Sequence, residues 1–403
     1  MPTPSALIAG ASIAGPALAY WLERYGWRTT VVERAPALRT GGQNVDLKGA
    51  GLQVIRRMGL EDQVRAAHTG ESGLEFVGAR GQVLARFPVG DPSGMSLTSE
   101  VEILRGDLAE LLVSDTSAST DYRFGDRIRS LQWEGDAALV TFEQGSVERF
   151  DLVVAADGVG SDTRRLVFGD EPVVMSLGLE ATWATIARTD SDTDWWRWFN
   201  TPGGTISLRP DRYGTMRVLI TRTLTGGEMR DVASRRTPEE QRALLRQTFS
   251  GARWETDRVL EALEDVEDLY FEEVGQVHAP RWSKGPVVLV GDAAHCPSPM
   301  TGMGTTLAVV GAYVLAGEIA KHTALRDGLA SYERRMRPWV NQVQKLPPGV
   351  PRIANPTSRA GVALLQAAVR VAGTRVVRGI ATRMSRGGPP AQTFALPNYA
   401  DLE

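Results

Sequence analysis

The segment "SALIAGASIAGPALAYWLERYGWRTTVVERAP" starts with an apolar run, breaks at small residues, resumes with apolar positions at helical spacing and closes on a second apolar run. That order predicts a buried strand ending at Ala9, a tight turn, a helix from about Gly15 to Tyr25 and a strand ending at Glu33. Together these make a βαβ unit. Residues 49–67 and 106–114 also have helical spacing, whereas "DRIRSLQWEGDAALVTFEQGSVERFDLVVAADG" alternates apolar and polar positions around turns at Glu134–Asp136 and Gln144–Ser146. The alternation predicts a small antiparallel meander that returns the chain, through Leu152 to Ala155, to a parallel sheet.

From about residue 173 to 280 the pattern changes to longer strands such as "GTISLRPD" and "GTMRVLITR", with Trp183, Trp195, Trp196, Trp198 and Trp254 interspersed. A second, sheet-based domain is expected here. "KGPVVLVGDAAH" then supplies another buried strand and "TTLAVVGAYVLAGEIAKH" a buried helix, so the first domain is discontinuous. The expected boundaries are 1–72, 101–172 and 281–345 for the first domain, and 73–100 with 173–280 for the second. After the break "KLPPGVPRIANP", residues 358–386 place Val362, Leu365, Val369, Val376, Ile380 and Met384 on one helical face, with Arg370, Arg375, Arg378, Arg383 and Arg386 elsewhere. This C-terminal helix, within 355–387, reads as a segment docked on the body; a lid, a dimer contact and an anionic membrane surface are its rival roles.

Composition narrows the classes. A 403-residue chain with 42% hydrophobic and 23% charged residues can bury at least one sizeable core, which argues against disorder. A net charge of -3 offers a nucleic acid no overall attraction. Cys296 is the single cysteine, so no intramolecular disulfide can form, and the four histidines are scattered; a cytoplasmic protein without a metal site is expected. The longest apolar run, about Leu307 to Gly317, falls short of the roughly 20 residues that span a membrane.

Gly10, Ser12 and Gly15 occupy the three small-residue positions of a G-x-G-x-x-G turn, with Ile13 and Ala14 between the last two. Small residues there let the backbone approach a pyrophosphate at the start of the following helix, where free N–H groups and the helix dipole favour negative charge. Glu33, 23 residues after Gly10, can accept hydrogen bonds from ribose hydroxyls. Strand, turn, helix, strand and acid together predict dinucleotide binding but leave NAD and FAD open.

A second loop, "GDAAHCPSPMTGMG", lies between a buried strand and a buried helix, and a third motif, "DLVVAADGVGSDTRR", carries Asp157 and Gly158. With these three in order, the chain resembles the class A flavin-dependent aromatic hydroxylases, the group of p-hydroxybenzoate hydroxylase. It is most similar to the tetracycline-inactivating monooxygenases, through "GGQNVDLKG", "VEILRGDLAELL" and "GDAAHCPSPMTGMG". The resemblance implies an α/β fold: an FAD-binding, Rossmann-like domain of the glutathione reductase type with an inserted β-sheet substrate domain and a C-terminal helix. It implies that the Gly10–Gly15 loop and Glu33 bind the adenosine end of FAD, and that Arg34, Asp46 and Arg105 lie along the cofactor. It further places Gly291 and Asp292 at the ribityl chain, Pro299, Gly302, Met303, Gly304, Thr305 and Thr306 around the flavin, and Arg39 at the nicotinamide cofactor. Asp157 and Gly158 would touch both. Ser12 stands where the family has a glycine and Thr306 where it has an asparagine, so hydrogen bonding at the flavin's pyrimidine edge is expected to differ.

The implied chemistry is reduction of FAD by NADPH or NADH, addition of dioxygen at the flavin C4a, and transfer of one oxygen atom to an electron-rich substrate. The helix starting near Gly304 would stabilise negative charge at flavin N1. No separate nicotinamide-binding unit is visible, which suits a transient visitor. No side chain is singled out as catalytic, because the flavin carries the hard step. Trp183, Trp196 and Trp198 are candidates to stack on a planar aromatic or polyketide substrate, and Arg197, Arg209 and Arg217 to meet its oxygens; strand aromatics also serve as plain core. His295 beside Cys296 lacks the turn that accompanies a thiol nucleophile. "WWRWF" has only part of a flavin-halogenase motif. A flavin dehydrogenase or reductase and a non-catalytic flavoprotein remain the rival functions. Hydroxylation and Baeyer-Villiger insertion, biosynthesis and resistance, and monomer and homodimer are all compatible with the sequence.

Overall fold

A computed structural model describes residues 3–39, 41–91, 101–224, 236–347, 349–374 and 394–402. The βαβ unit forms as the pattern predicts: strand Ser5–Ala9, helix Ala14–Arg24 and strand Arg28–Glu33, with Leu7, Ile8, Val31 and Leu18 buried. These two strands sit in a six-stranded sheet ordered Ser283–Lys284, Val287–Leu289, Leu152–Ala155, Ser5–Ala9, Arg28–Glu33 and Asp121–Phe124, parallel except at the first pair. The meander 128–150 forms three antiparallel strands, turning at Gly135 and Gly145, both at positive φ where glycine avoids the Cβ penalty.

Helix Gly304–Lys321 packs against helix Ala14–Arg24 and buries 14 of its residues, from Thr306 to Ile319. Helix Leu325–Val343 covers it on another side, and the C-terminal tail returns over both: Phe394 stacks on Trp339 at 4.6 Å and Tyr399 meets Tyr313 at 5.1 Å. No helix among the described residues is long and apolar enough to cross a membrane.

The second sheet has seven strands, ordered Tyr270–His278, Val173–Ala187, Thr215–Thr223, Gly204–Pro210, Trp196–Thr201, Gly73–Val77 and Val83–Pro88. Segments 73–88 and 173–278 thus share one sheet, through a parallel pairing of Gly73–Val77 with Trp196–Thr201. Strand alternation splits this sheet into two faces. One face buries Ile206, Leu208, Val218 and Ala184 under helices Pro238–Phe249 and Thr256–Ala262. The other turns Trp183, Ser207, Arg209, Arg217 and Leu219 toward the first domain.

Two predicted helices are corrected. The stretch 49–67 is two helices, Ala50–Arg57 and Glu61–Ala66, because Gly59 takes φ 77° and ends the first. The helix expected over 358–386 is described as Arg359–Ala372; Arg375, Val376, Arg378, Ile380, Arg383, Met384 and Arg386 lie outside the described residues.

Candidate functional site

The first glycine-rich loop closes so tightly that no side chain fits at Gly10 or Gly15. A Cβ on Gly15 would lie 1.9 Å from the Gly10 carbonyl oxygen, and one on Gly10, at φ 109°, 2.5 Å from the Ala156 carbonyl oxygen. Ile13 precedes helix Ala14–Arg24, which has no side-chain N-cap and no acid in its first turn. Its leading N–H groups therefore suit an external anion. Glu33 ends the neighbouring strand, its carboxylate accepting from the Ala11 and Ala35 amides at 3.1 and 2.9 Å. Beside it, Arg34 and Arg39 line a surface cavity of about 670 Å³ with Asp126 and Arg127.

Arg105 opens helix Arg105–Thr116 and donates to the Ser12 hydroxyl at 3.1 Å, so the serine at the middle loop position has its own partner. Burial lowers the pKa of the Arg105 guanidinium, which lies where a Cβ on Gly42 would be only 2.9 Å from it. Asp157 accepts from the Thr163 amide and hydroxyl at 3.1 and 3.0 Å, fixing the turn at Gly158 (φ 84°).

The second loop converges on the same place. Strand Val287–Leu289 ends before Gly291, and Asp292 opens a one-turn helix, Asp292–His295. Gly291 (φ 61°) packs against Ala14 of the first loop, where an added Cβ would stand 3.0 Å from the Ala14 methyl. This contact bridges segments almost three hundred residues apart. Burial pushes the Asp292 carboxyl up, against the pull of Cys296 and Arg105. Pro299 begins a 3-10 turn, Pro299–Thr301, that ends at Gly302 (φ 60°), beside the Asp46–Lys48 ion pair. Met303 precedes helix Gly304–Lys321, again with no side-chain cap and no acid in the first turn. Thr305 lies in that turn, and the Thr306 hydroxyl accepts from the Lys48 amide at 3.0 Å.

The structure brings Trp183, Trp196, Trp198, Arg209 and Arg217 to one face of the seven-stranded sheet but leaves Arg197 on the other. In "WWRWF" the tryptophans alternate with the arginine, so Arg197 stacks on Trp254 at 5.4 Å, on the face opposite Trp196 and Trp198. Trp196 lies under the Arg209 guanidinium at 4.2 Å, and Trp198 packs on Phe76 and beside Val369 and Ala372 of the C-terminal helix. Arg209 is held by Glu71 and Glu102, and Arg217 by Asp211 at 2.8 Å and Thr185 at 2.7 Å. Met300 of the second loop packs on the cluster of Leu179, Ala181, Trp183 and Val274, so loop and sheet face each other.

Sequence reading missed Lys48, Tyr270, Glu272 and Ser298 at this junction. Ser298 adopts φ 81°, strained for a residue other than glycine, and its hydroxyl accepts from the Met300 amide at 3.2 Å. No local signal marks that conformation. His295 is buried against Trp282 at 4.8 Å, and burial lowers its pKa to about 3, so it stays neutral. Burial raises the neighbouring Cys296 thiol, which keeps it protonated and inert as a nucleophile.

Known proteins match this arrangement across the chain. The family model described as "FAD binding domain" matches residues 3–346. The FAD-dependent monooxygenase asL4 of Sarocladium schorii is 34% identical over 100% of this chain and 99% of its own. The flavin-dependent monooxygenase eupH of a Phoma species is 37% identical over 89% and 90%. The crystal structure of the tetracycline destructase Tet(55) superimposes with a TM-score of 0.79 at 31% identity, covering 99% of this chain and 100% of that one. With a family model matched over most of its length and relatives above 30% identity aligned along nearly all of it, the chain belongs to the FAD-binding-domain family as an FAD-dependent monooxygenase that uses NAD(P)H.

Proposed function

We propose that this monooxygenase oxygenates a planar, multi-ring, hydroxylated aromatic or polyketide-type compound held between the 298–303 loop and the Trp183 face of the seven-stranded sheet. The observation that carries this reading is the packing of Met300 on the Trp183 cluster, which brings the second loop against that face of the sheet. A flat ring system fits two opposed walls better than an elongated flexible chain, because its ordering costs little conformational entropy. The tetracycline destructase likeness points to the same class of compound.

In this reading the Gly10–Gly15 loop and its helix hold the pyrophosphate, with Ser12, Ile13 and Ala14 supplying backbone donors and Glu33 and Arg34 meeting the adenosine end. Asp46, Arg105, Asp157, Gly158, Gly291 and Asp292 follow the linker, and Pro299 to Thr306 cradle the ring. Arg39, at the cavity rim, meets the nicotinamide cofactor as it visits. The bound FAD supplies hydride acceptance and oxygen transfer from dioxygen. The chain's part is to bind, orient and exclude water. We place the activity in the cytoplasm.

Tetracycline and a hydroxyanthraquinone, turned over with NADPH or NADH under labelled dioxygen, test the reading. At least one of them is expected to yield a product heavier by one labelled oxygen atom, with nicotinamide oxidation rising on its addition. Desaturated product without label would replace it with the dehydrogenase reading.

The C-terminal helix serves as a side wall that closes on large substrates. Gly373 at its end packs so closely on Ala85 that a Cβ there would stand 2.7 Å from that methyl. Val369 is half-buried against the cluster of Leu74 and Trp196, so Val369→Asp is expected to loosen the helix and raise KM for a multi-ring substrate by about tenfold, the cost of setting a charge against apolar side chains. FAD content should stay constant; parallel loss of FAD and substrate binding would make the helix ordinary scaffold.

A further inference from the structure

Strand Tyr270–His278 is the edge of the seven-stranded sheet nearest the cofactor loops, and its alternation sends Tyr270, Glu272 and Val274 to the face that carries Trp183. Tyr270 lies directly opposite Trp183 in register, and their rings stack at 5.5 Å with planes 29° apart. Tyr270 is 45% exposed, and its hydroxyl donates to Oε2 of Glu272. The ring thus offers an open face at the junction, and Oε1 of Glu272 is the carboxylate's remaining acceptor.

The surroundings of Glu272 come from two other parts of the chain. Asp292 and Cys296 belong to the second cofactor loop, and Arg105 to the start of helix Arg105–Thr116. Burial pushes the Glu272 carboxyl up; Asp292 adds to that, while the Tyr270 hydroxyl and Arg105 oppose it. Burial and the adjacent carboxylate likewise keep the Tyr270 hydroxyl protonated, against Arg105 and Arg39. A carboxylate with a raised pKa is a stronger base than one in water, and here its orientation is fixed by a hydroxyl that does not itself ionise.

We propose that Tyr270 and Glu272 form the substrate-side proton acceptor of the enzyme: the ring stacks on an aromatic substrate and Glu272 removes the proton of an acidic phenol or enol. This rests on the functional reading above. The substrate O–H bond breaks, its electron pair stays on the substrate oxygen, and Oε1 of Glu272 takes the proton and becomes a neutral carboxylic acid. Negative charge passes from carboxylate to substrate. The resulting phenolate or enolate has a more electron-rich ring, as oxygen insertion requires. The substrate class follows: compounds bearing a hydroxyl acidic enough for a carboxylate to compete for its proton, conjugated to the carbon attacked.

The test uses the FAD-loaded full chain and 1,2-dihydroxyanthraquinone, whose phenol and phenolate differ in visible colour. Wild type is expected to bind it with the apparent pKa of the phenol lowered by one unit or more, about a tenfold shift of the equilibrium. Glu272→Gln should bring the bound phenol back to its free value with FAD content unchanged. Tyr270→Phe, which keeps the ring and the carboxylate, should show a smaller loss and reads the effect if Glu272→Gln folds poorly. Glu273→Gln, one residue along and facing Glu180 on the other side of the sheet, should behave as wild type. The proposal is overturned if FAD-loaded wild type binds the probe only as neutral phenol, or not at all, or if Glu272→Gln keeps the shift. A wild type that takes up no FAD would instead sink the reading on which the proposal rests.

Discussion

Replacing Asp292 with alanine is expected to yield a folded protein that purifies without yellow colour. Asp292 is buried at the meeting of both glycine loops, and a Cβ on Gly304 would stand 3.8 Å from its Oδ1. Burial disfavours its charged form and only Arg105 and Cys296 pull the other way, so in the protein alone the carboxylate is under-compensated. In the proposed placement of FAD, hydrogen bonds from cofactor hydroxyls would restore that balance. Bonds to a charged acceptor contribute about 1.5–3 kcal/mol, and losing them should weaken FAD binding by about ten- to two-hundredfold. Asp292→Asn keeps one acceptor and should fall between. Visible absorbance after purification and a fluorescence titration with added FAD measure both variants. Since alanine removes a buried charge, the unloaded protein should melt no lower than unloaded wild type. An Asp292→Ala protein with its full complement of FAD would count against the placement of the cofactor at this loop.

The loops were legible because their backbone demands are local. Gly10, Gly15, Gly291 and Gly302 stand where a side chain would collide or where φ is positive, and such positions leave glycine in the sequence whatever the tertiary context. The βαβ unit and the meander were legible for a similar reason: their periods and turn residues are read within about thirty residues. What could not be read is pairing at a distance. Arg209 and Glu71 are separated by 138 positions, and neither flanking sequence announces the other. The same limit hid Tyr270 and Glu272, since "YFEEVGQVH" looks like any edge strand until Asp292 and Arg105 are brought against one of its faces. Arg197 shows the converse error. Its residue type suits an anionic substrate, but strand alternation had already assigned it to the opposite face from Trp196 and Trp198.

Arg209→Met is expected to destabilise the fold by about 3–5 kcal/mol, the usual cost of stranding buried charge. The guanidinium forks onto Glu71 at 2.5 and 2.9 Å and also meets Glu102, with Trp196 as its floor; both acids are buried and the arginine is largely covered. Three such groups cannot all ionise at low energy. Burial raises Glu102 well above its usual 4.5, with Glu71 and with Asp46, directly opposite in register, adding to the effect and Arg209 opposing it. Glu71 is lowered in spite of burial, because Arg209 holds it. The two acids are therefore driven apart, Glu102 upward by burial and its acidic neighbours and Glu71 downward by Arg209. A raised carboxyl contributes stability that is fully present below its ordinary pKa and lost as pH rises through the folded value; Glu71 has the opposite sign and weakens only in acid. Glu102→Gln mimics the protonated acid, so it should cost little near pH 5 and flatten the decline of stability above that range. Denaturant midpoints of wild type and Glu102→Gln across pH measure this directly, and parallel curves would show that Glu102 is ionised throughout. Combining Arg209→Met with Glu71→Gln and Glu102→Gln should recover most of the loss, because the arginine is needed chiefly to answer the acids beside it. If the triple variant is as unstable as Arg209→Met alone, the cation–π packing of the guanidinium on Trp196, and not charge balance, is what the arginine supplies.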